Sequence, residues 1–548
     1  LNALSHLDIG VFACYMLLLV GVGVWFTRRQ TGLKSYLLAD QNIHWVIVAV
    51  SVLAALFSGI TYLGAPAEAF FYDLGYLWVV VSFFIATPIT TLLFLPFFRS
   101  LNLYTAYEYL ERRFDRRLCW VASALFIGRV SLYLGLAIYA PALAIMEITG
   151  WPFALSVVLT GAAATLYTTL GGMKAVIWTD SIQFLVLCGG VVVVLGYAIA
   201  AVPGGLPAAW NAAAADGKAR FVNWSLDPGV RITVWGGLLG GACANLVQMV
   251  TDQIAVQRYL TAPSLRDSQR ALWFKLWVTL PLVALFYLTG TILYGYYRTL
   301  PERAPAFQKA RLVPLLASPE GQSIQRAPIA NDCVLPYFVV RELPSPLPGL
   351  LIAAVLGATM AVVSAGVNSL ATTALMDFRR KPEHLEGSAQ HQLRLARFLT
   401  LLFGTVATLL ALFVMEHLGT LLQATNRIMG LFGGPLLGVF FLGVLARRAN
   451  GSGALIGAAG GVLTAGLVAF SGPLFRYEIS FLWIAFSAAA VTFTLGLLAS
   501  LFFAAPGPAA RALVYRRGAT GESSPTAAPA EPVAVTGQFG KTSEKSQP

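Results

Sequence analysis

Apolar stretches of about 20 residues recur along the chain, separated by short polar or basic connections. A helix of that length crosses roughly 30 Å of hydrocarbon, and backbone groups inside lipid must pair within their own segment. Each stretch therefore predicts a transmembrane helix. Thirteen are expected, near residues 8–27, 44–68, 76–98, 118–147, 152–171, 176–202, 233–256, 271–297, 347–376, 396–415, 418–445, 452–471 and 480–504. Segment 8–27 is too long for the apolar core of a cleavable leader and lacks a small-residue cleavage site, so it reads as a true first span.

The connections set the orientation. Those after odd-numbered spans carry runs such as "TRRQTGLK", "RRKPEHLEGSAQHQLRLAR" and "RRANGSG". Those after even-numbered spans are poor in Lys and Arg, apart from two long segments, 203–232 and 299–346. Short basic connections stay in the cytoplasm, and long ones weigh little. A multi-pass cell-membrane protein with its N-terminus outside and its C-terminus in the cytoplasm is expected. Composition agrees: 57% of the 548 residues are hydrophobic and 11% charged, against about 25% charged in a soluble domain. The basic connections account for the net charge of +12, which calls for no nucleic-acid partner. Five scattered cysteines without a CxxC pair give no disulfide framework and no zinc site. Segment 299–346 is expected to hold short helices over the membrane, and the Pro-, Ala- and Ser-rich tail 505–548 to be a disordered cytoplasmic extension.

Two spans are interrupted by small residues. Span two contains Ser58-Gly59, then Gly64 and Pro66; span seven contains glycine pairs at 236–237 and 240–241 before Asn245. For one span alone, close helix packing through small residues explains this. The two lie five helices apart, and an odd shift reverses the direction of crossing, so a repeated five-helix unit must be inverted. Broken helices at matching places in inverted halves point to a transporter's central site, with freed carbonyls for a cation and half-helix N-termini for an anion. The chain then divides into 1–43, a first helix and basic loop; 44–202 and 203–445, two inverted five-helix repeats; 446–504, two further helices; and the tail.

The runs "LYTAYEYLERRF" (103–114), "GGMKAVIWTDSIQ" (171–183) and "NLVQMVTDQIAVQRYL" (245–260) resemble the sodium/solute symporter family. "LPYFVVRELPSPLPGLLIAAVLGATM", "NSLATTALMD" and "RRANGSGALIG" extend the resemblance, in family order, from about residue 8 to 450. "GITYLGAPAEAF" and "IYAPALAI" are most similar to the sodium-coupled monocarboxylate, multivitamin and iodide branch and its bacterial relatives. The resemblance implies an all-α, leucine-transporter-like fold with an inverted five-plus-five repeat and Na+ coupling. It places one sodium site at the carbonyls of Ala54, Phe57 and Ala358, with hydroxyls expected on span nine. There the chain reads Met360-Ala361-Val362-Val363-Ser364-Ala365-Gly366, so of four hydroxyl positions only Ser364 remains. A hard cation seeks oxygen ligands, which methyl groups do not offer; a proton is accordingly the alternative coupling ion. Asp180 matches a further cation position beside the helix carrying Ser364. A carboxylate in a span costs roughly 2.5 kcal/mol or more at the bilayer centre. Asp180 is either such a cation or proton handle or a staple between helices through Thr179 or Gln183.

For the substrate, the sugar-transporting branch has a glutamate where this chain has Ser82 and a lysine where it has Thr279, with Lys275 one turn away. Sugar is disfavoured. Arg129, well inside span four, should face the interior and pair with an anion or carbonyls. In sialic-acid-carrying members an arginine on this helix meets the substrate carboxylate, which implies a pocket of Arg129 with Ser58 and Thr61, completed by Ser82, Asn245 and Gln248. Tyr62, Phe57 and Met249 are candidate apolar walls. The competing reading pairs Arg129 with Asp180 or backbone oxygens. The function expected is a cation-coupled symporter that carries a small organic anion, a carboxylate, inward by alternating access. Alternatives are a proton-coupled or uncoupled carrier on the same fold and, more remotely, a nutrient sensor. No metal-protease or phosphate-loop motif supports an enzyme.

Overall fold

The computed structural model describes residues 5–27, 44–101, 105–170, 173–303, 332–378, 389–415 and 420–515. Most of the first basic connection, the middle of 299–346 and the tail from 516 lie outside these residues, as does His384. Residues Leu1–Val514 form one unit; Tyr515–Pro548 form a second. The regular secondary structure of the first is helical among its described residues.

The helices are α1 (His6–Thr27), α2 (Trp45–Leu56), α3 (Gly59–Phe71), α4 (Leu77–Ser100), α5 (Ala106–Arg113), α6 (Arg116–Thr149), α7 (Phe153–Leu170) and α8 (Met173–Ala201). They continue with α9 (Gly205–Ala215), α10 (236–251), α11 (Gln253–Leu260), α12 (Leu265–Thr299), α13 (Val334–Glu342), α14 (Leu347–Phe378), α15 (Ala389–Phe413), α16 (Leu421–Leu445), α17 (Gly451–Ala469) and α18 (Trp483–Ala499). Every expected span meets a helix or an interrupted helical run. Among the described residues eight are long and apolar enough to cross a membrane, nine if the bent pair α2–α3 is taken as one span. The places of spans one, five and thirteen hold shorter apolar helices, and span seven is broken. Thirteen crossings therefore stay an expectation rather than a count. Segment 299–346 does carry short helical pieces, Pro301–Arg303 and α13.

Polar residues sit where helices start and stop. Asp115 accepts from the Leu118 N–H and caps α6, whose other end is turned off by Gly150 at φ 72°. Thr105, Ser264 and Asn450 cap α5, α12 and α17 in the same way. The buried Arg113 donates to the carbonyls of Gly443, Ala446 and Ala449, a cation placed on the C-terminal end of α16. That contact gives the "YLERRF" run a physical role.

The packing has an internal symmetry. The α2–α3 pair lies on α12, and α10 lies on α4; α6 meets α15, and α7 meets α14. Likewise α2 packs on α8, and α10 on α16. Exchanging the helices of 44–202 with those of 203–445 in order maps each pairing onto its counterpart. Two inverted five-helix layers wrap one centre, where α6 crosses α14. The added helices flank it: α1 lies on α14 and α8, and α17 with α18 packs on α16. Gly453, Gly457 and Gly461 bring α17 against α18; a Cβ on Gly457 would come within 2.5 Å of the Thr492 carbonyl oxygen.

Candidate functional site

Both expected interruptions exist, but only one lies where the small residues are. Span two breaks at Phe57-Ser58: α2 ends at Leu56, Ser58 is extended, and α3 leaves at a 58° bend. The carbonyls of the last turn of α2 thereby lose their donors within the helix. Gly59 lets the broken end approach α14, since a Cβ there would sit 2.9 Å from Thr359 Oγ1. Ala54, Phe57, Ala358 and Ser364 are all buried, and α14 packs against both α2 and α3. Ala361 and Val362 are buried in the same helix and bring methyl groups, not oxygens. The positions expected to hold a cation therefore offer backbone carbonyls and the Ser364 hydroxyl.

Span seven does not break at its glycines. The chain runs through 236–251 as alternating π and α turns, and the glycines serve contact: a Cβ on Gly237 would meet Trp78 at 2.5 Å, and one on Gly240 the Leu482 carbonyl oxygen at 2.2 Å. The break comes at Asp252, which is extended and caps α11 by accepting from the Ile254 N–H at 2.9 Å. Close packing explains the glycines, and an aspartate makes the interruption.

Asp252 also answers Arg129. The guanidinium, fully buried, meets the Asp252 carboxylate at 2.9 Å, lies 3.1 Å from Met429 Sδ and stands over the Phe126 ring. Neither Asp180 nor the backbone oxygens named in the competing reading are its recorded partners among the described residues. Asp180 is instead held by Arg258 at 2.9 Å and by the Ser51 hydroxyl at 3.1 Å, both on Oδ2. Oδ1 is buried without a hydrogen bond. A staple therefore runs through Ser51 and Arg258, while the Gln183 amide is buried without a hydrogen bond. Asp252 and Arg258 sit at either end of one short helix, so α11 is tied to α6 by one ion pair and to α8 by the other.

Between these elements lies a partly open cavity, about 520 Å³ of space free of protein atoms when the adjoining solvent is included. Gln248, Asp252, Arg258, Lys275, Tyr133 and Tyr259 supply its polar lining. Of the expected pocket residues, Gln248 lines it, Arg129 stands behind Asp252, and Ser58 is buried beside the Tyr133 phenol. Ser82 and Asn245 do not belong to its lining: Asn245 donates to Ser82 Oγ and to the Val79 carbonyl, stapling α10 to α4. Thr61 is on α3, and neither it nor Met249 is among the lining residues. Phe57 and Tyr62 join Phe184 and Phe286 in an aromatic cluster. Asp252, Arg258 and Tyr133 line the cavity without being named from the sequence, and the sequence reading notes Lys275 only as a neighbour of Thr279. The four include three charges in or at the end of apolar spans, a signal by itself.

The opposite end of the bundle is closed. Arg231 grips Glu68 with both guanidinium nitrogens and stacks 3.6 Å from the Tyr72 ring centre, and Tyr76 stacks on Tyr287. In the connection after α9, Lys218 donates to the Phe71 carbonyl at 2.7 Å, and burial lowers its ammonium to about 8.

The family model described as "Sodium:solute symporter family" matches residues 36–461. The chain belongs to that family. The sodium-dependent multivitamin transporter of Oryctolagus cuniculus is 32% identical over 474 residues, covering 85% of this chain and 70% of that protein. Sodium-coupled monocarboxylate transporter 2 of Mus musculus is 32% identical over 464 residues, covering 83% and 70%. A substrate-bound, outward-open Na+-coupled sialic acid symporter superposes with a TM-score of 0.78 at 26% identity, covering 91% of this chain and 98% of its own. This member of the sodium:solute symporter family is thus an integral, multi-pass cation-coupled solute symporter with the inverted-repeat transporter fold, and not an enzyme. Na+ is the coupling ion of its relatives.

Proposed function

We propose that the protein carries a small organic anion, a carboxylate, into the cell together with Na+ by alternating access. The observation that carries this reading is the cavity between the breaks of spans two and seven, bounded by helices of both repeats. The names of two relatives, a monocarboxylate and a multivitamin transporter, favour an acid. Sodium would sit at the carbonyls of Ala54, Phe57 and Ala358 with the Ser364 hydroxyl. Asp180 would add its free Oδ1, although Arg258 already supplies a positive charge there. That set fits a hard cation in donor type and is poor in number, so weak sodium binding is part of the proposal.

With the N-terminus outside and the tail in the cytoplasm, the cavity opens in the cytoplasmic half and the Glu68–Arg231 clasp closes the outer end. Substrate would leave past Gln248 and Tyr133. Coupling arises because cation and acid favour one arrangement over the other. A gradient experiment in proteoliposomes tests this: butyrate and benzoate uptake should rise at least tenfold with an inward Na+ gradient over choline. Uptake driven only by a proton gradient would move the coupling to H+, and no uptake of either acid under any gradient contradicts the anion reading.

A further inference from the structure

The charges around the cavity do not balance. Asp252 is neutralised by Arg129 and Arg258 by Asp180, each at 2.9 Å. That leaves Lys275. Its side chain projects from α12 into the cavity lining and is 3% exposed. Its ammonium stands 4.7 Å from the centre of the Phe83 ring. Among the described residues it has no hydrogen bond and no carboxylate partner. A ring face attracts an ammonium more weakly than the hydration it gives up on burial, so Lys275 carries its proton in this site at a cost that an anion beside it would offset.

We propose that Lys275, and not Arg129, receives the charged group of the transported anion, and that it sets the preference for a single negative charge. This rests on the reading of the cavity as the substrate site of a small-anion symporter. Taking the carboxylate on Arg129 would require displacing Asp252, which also holds the first turn of α11. Lys275 needs no such rearrangement. One unpaired cation is matched by one carboxylate; a dianion would bring a second charge with no partner in the lining. The Gln248 amide and the Tyr133 and Tyr259 hydroxyls are the neutral polar groups of the lining available to a second oxygen of the ligand, and the Tyr259 hydroxyl is buried without a hydrogen bond. The rest of the wall is apolar, from Val52, Ile254, Ala255, Val362, Ala365 and Met429. Val362 and Ala365 are two of the positions where relatives would carry hydroxyls. Here they offer hydrocarbon to the body of the ligand.

The test compares butyrate with butyramide, benzoate with benzamide, and succinate as a dianion, by calorimetric titration of the solubilised full chain at fixed Na+. The wild type should bind at least one monocarboxylate tenfold or more tighter than its amide, and succinate more weakly than butyrate. Lys275→Met should lose that tenfold preference while its unliganded melting temperature holds or rises, because a buried unpaired charge has gone. Lys275→Arg should keep the preference, which separates charge from fold; Lys275→Gln serves if the methionine variant does not accumulate. A Lys275→Met or Lys275→Gln protein that still prefers acid over amide as the wild type does would overturn the assignment of Lys275 alone. A wild type that binds neither acid would overturn the anion reading beneath it.

Discussion

Ala361 and Val362 show how a single residue type can change two properties of a site. Both are buried on α14, beside the break that releases the carbonyls of Ala54 and Phe57. As methyl groups they withhold oxygens from a cation, and Val362 turns the same lack into an apolar wall of the cavity. Replacing Ala361 with Ser and Val362 with Thr together should lower the Na+ concentration giving half-maximal uptake by at least tenfold. It should also weaken the binding of acids with longer hydrocarbon bodies. Unchanged sodium dependence in that double variant would mean the cation is bound elsewhere. The missing hydroxyls were legible in the sequence because the flanking Asn368-Ser369 motif fixes the register. The consequence for the cavity wall was not, because it depends on which face of α14 looks at α11.

At the scale of elements, α11 is a short helix held by two buried ion pairs, and its cap residue belongs to one of them. Removing one partner of such a pair costs about 3–5 kcal/mol, while replacing both with neutral groups is often close to neutral. Asp252→Asn keeps a side chain able to cap α11 and strips Arg129 of its counter-charge. It should lower the melting temperature sharply, and adding Arg129→Met should recover most of the loss, a coupling that a double-mutant cycle measures. Additive losses would show that Arg129 and Asp252 act separately. The interruption of span seven was expected from its glycines, which are the most visible irregularity in its sequence. The structure uses them against Trp78 and Leu482 and breaks the helix about three turns later. Small residues mark close approach as well as breakage, and the sequence alone does not separate the two. Arg129 was legible as an interior charge for a related reason: a guanidinium in a span must have a partner. Which carboxylate it meets depends on how α6 and α11 cross.

For the whole molecule, hydrophobic spacing and the odd five-helix shift were enough to anticipate two inverted halves, and the exchange symmetry of the helix contacts agrees. The symmetry puts the broken spans on either side of one hollow. A deep clasp, Glu68 with Arg231, stands at one end, and the hollow lies towards the other. Alternating access requires that this hollow be reached from the two membrane faces in turn. Val362→Cys, in a background with the five native cysteines replaced, tests it most directly. An impermeant thiol reagent should label that cysteine from the cytoplasmic side in the absence of Na+. Saturating external Na+ should shift labelling to the outer side. A cysteine at 362 that is never labelled from either face, or is labelled from the same face under every condition, would contradict the account.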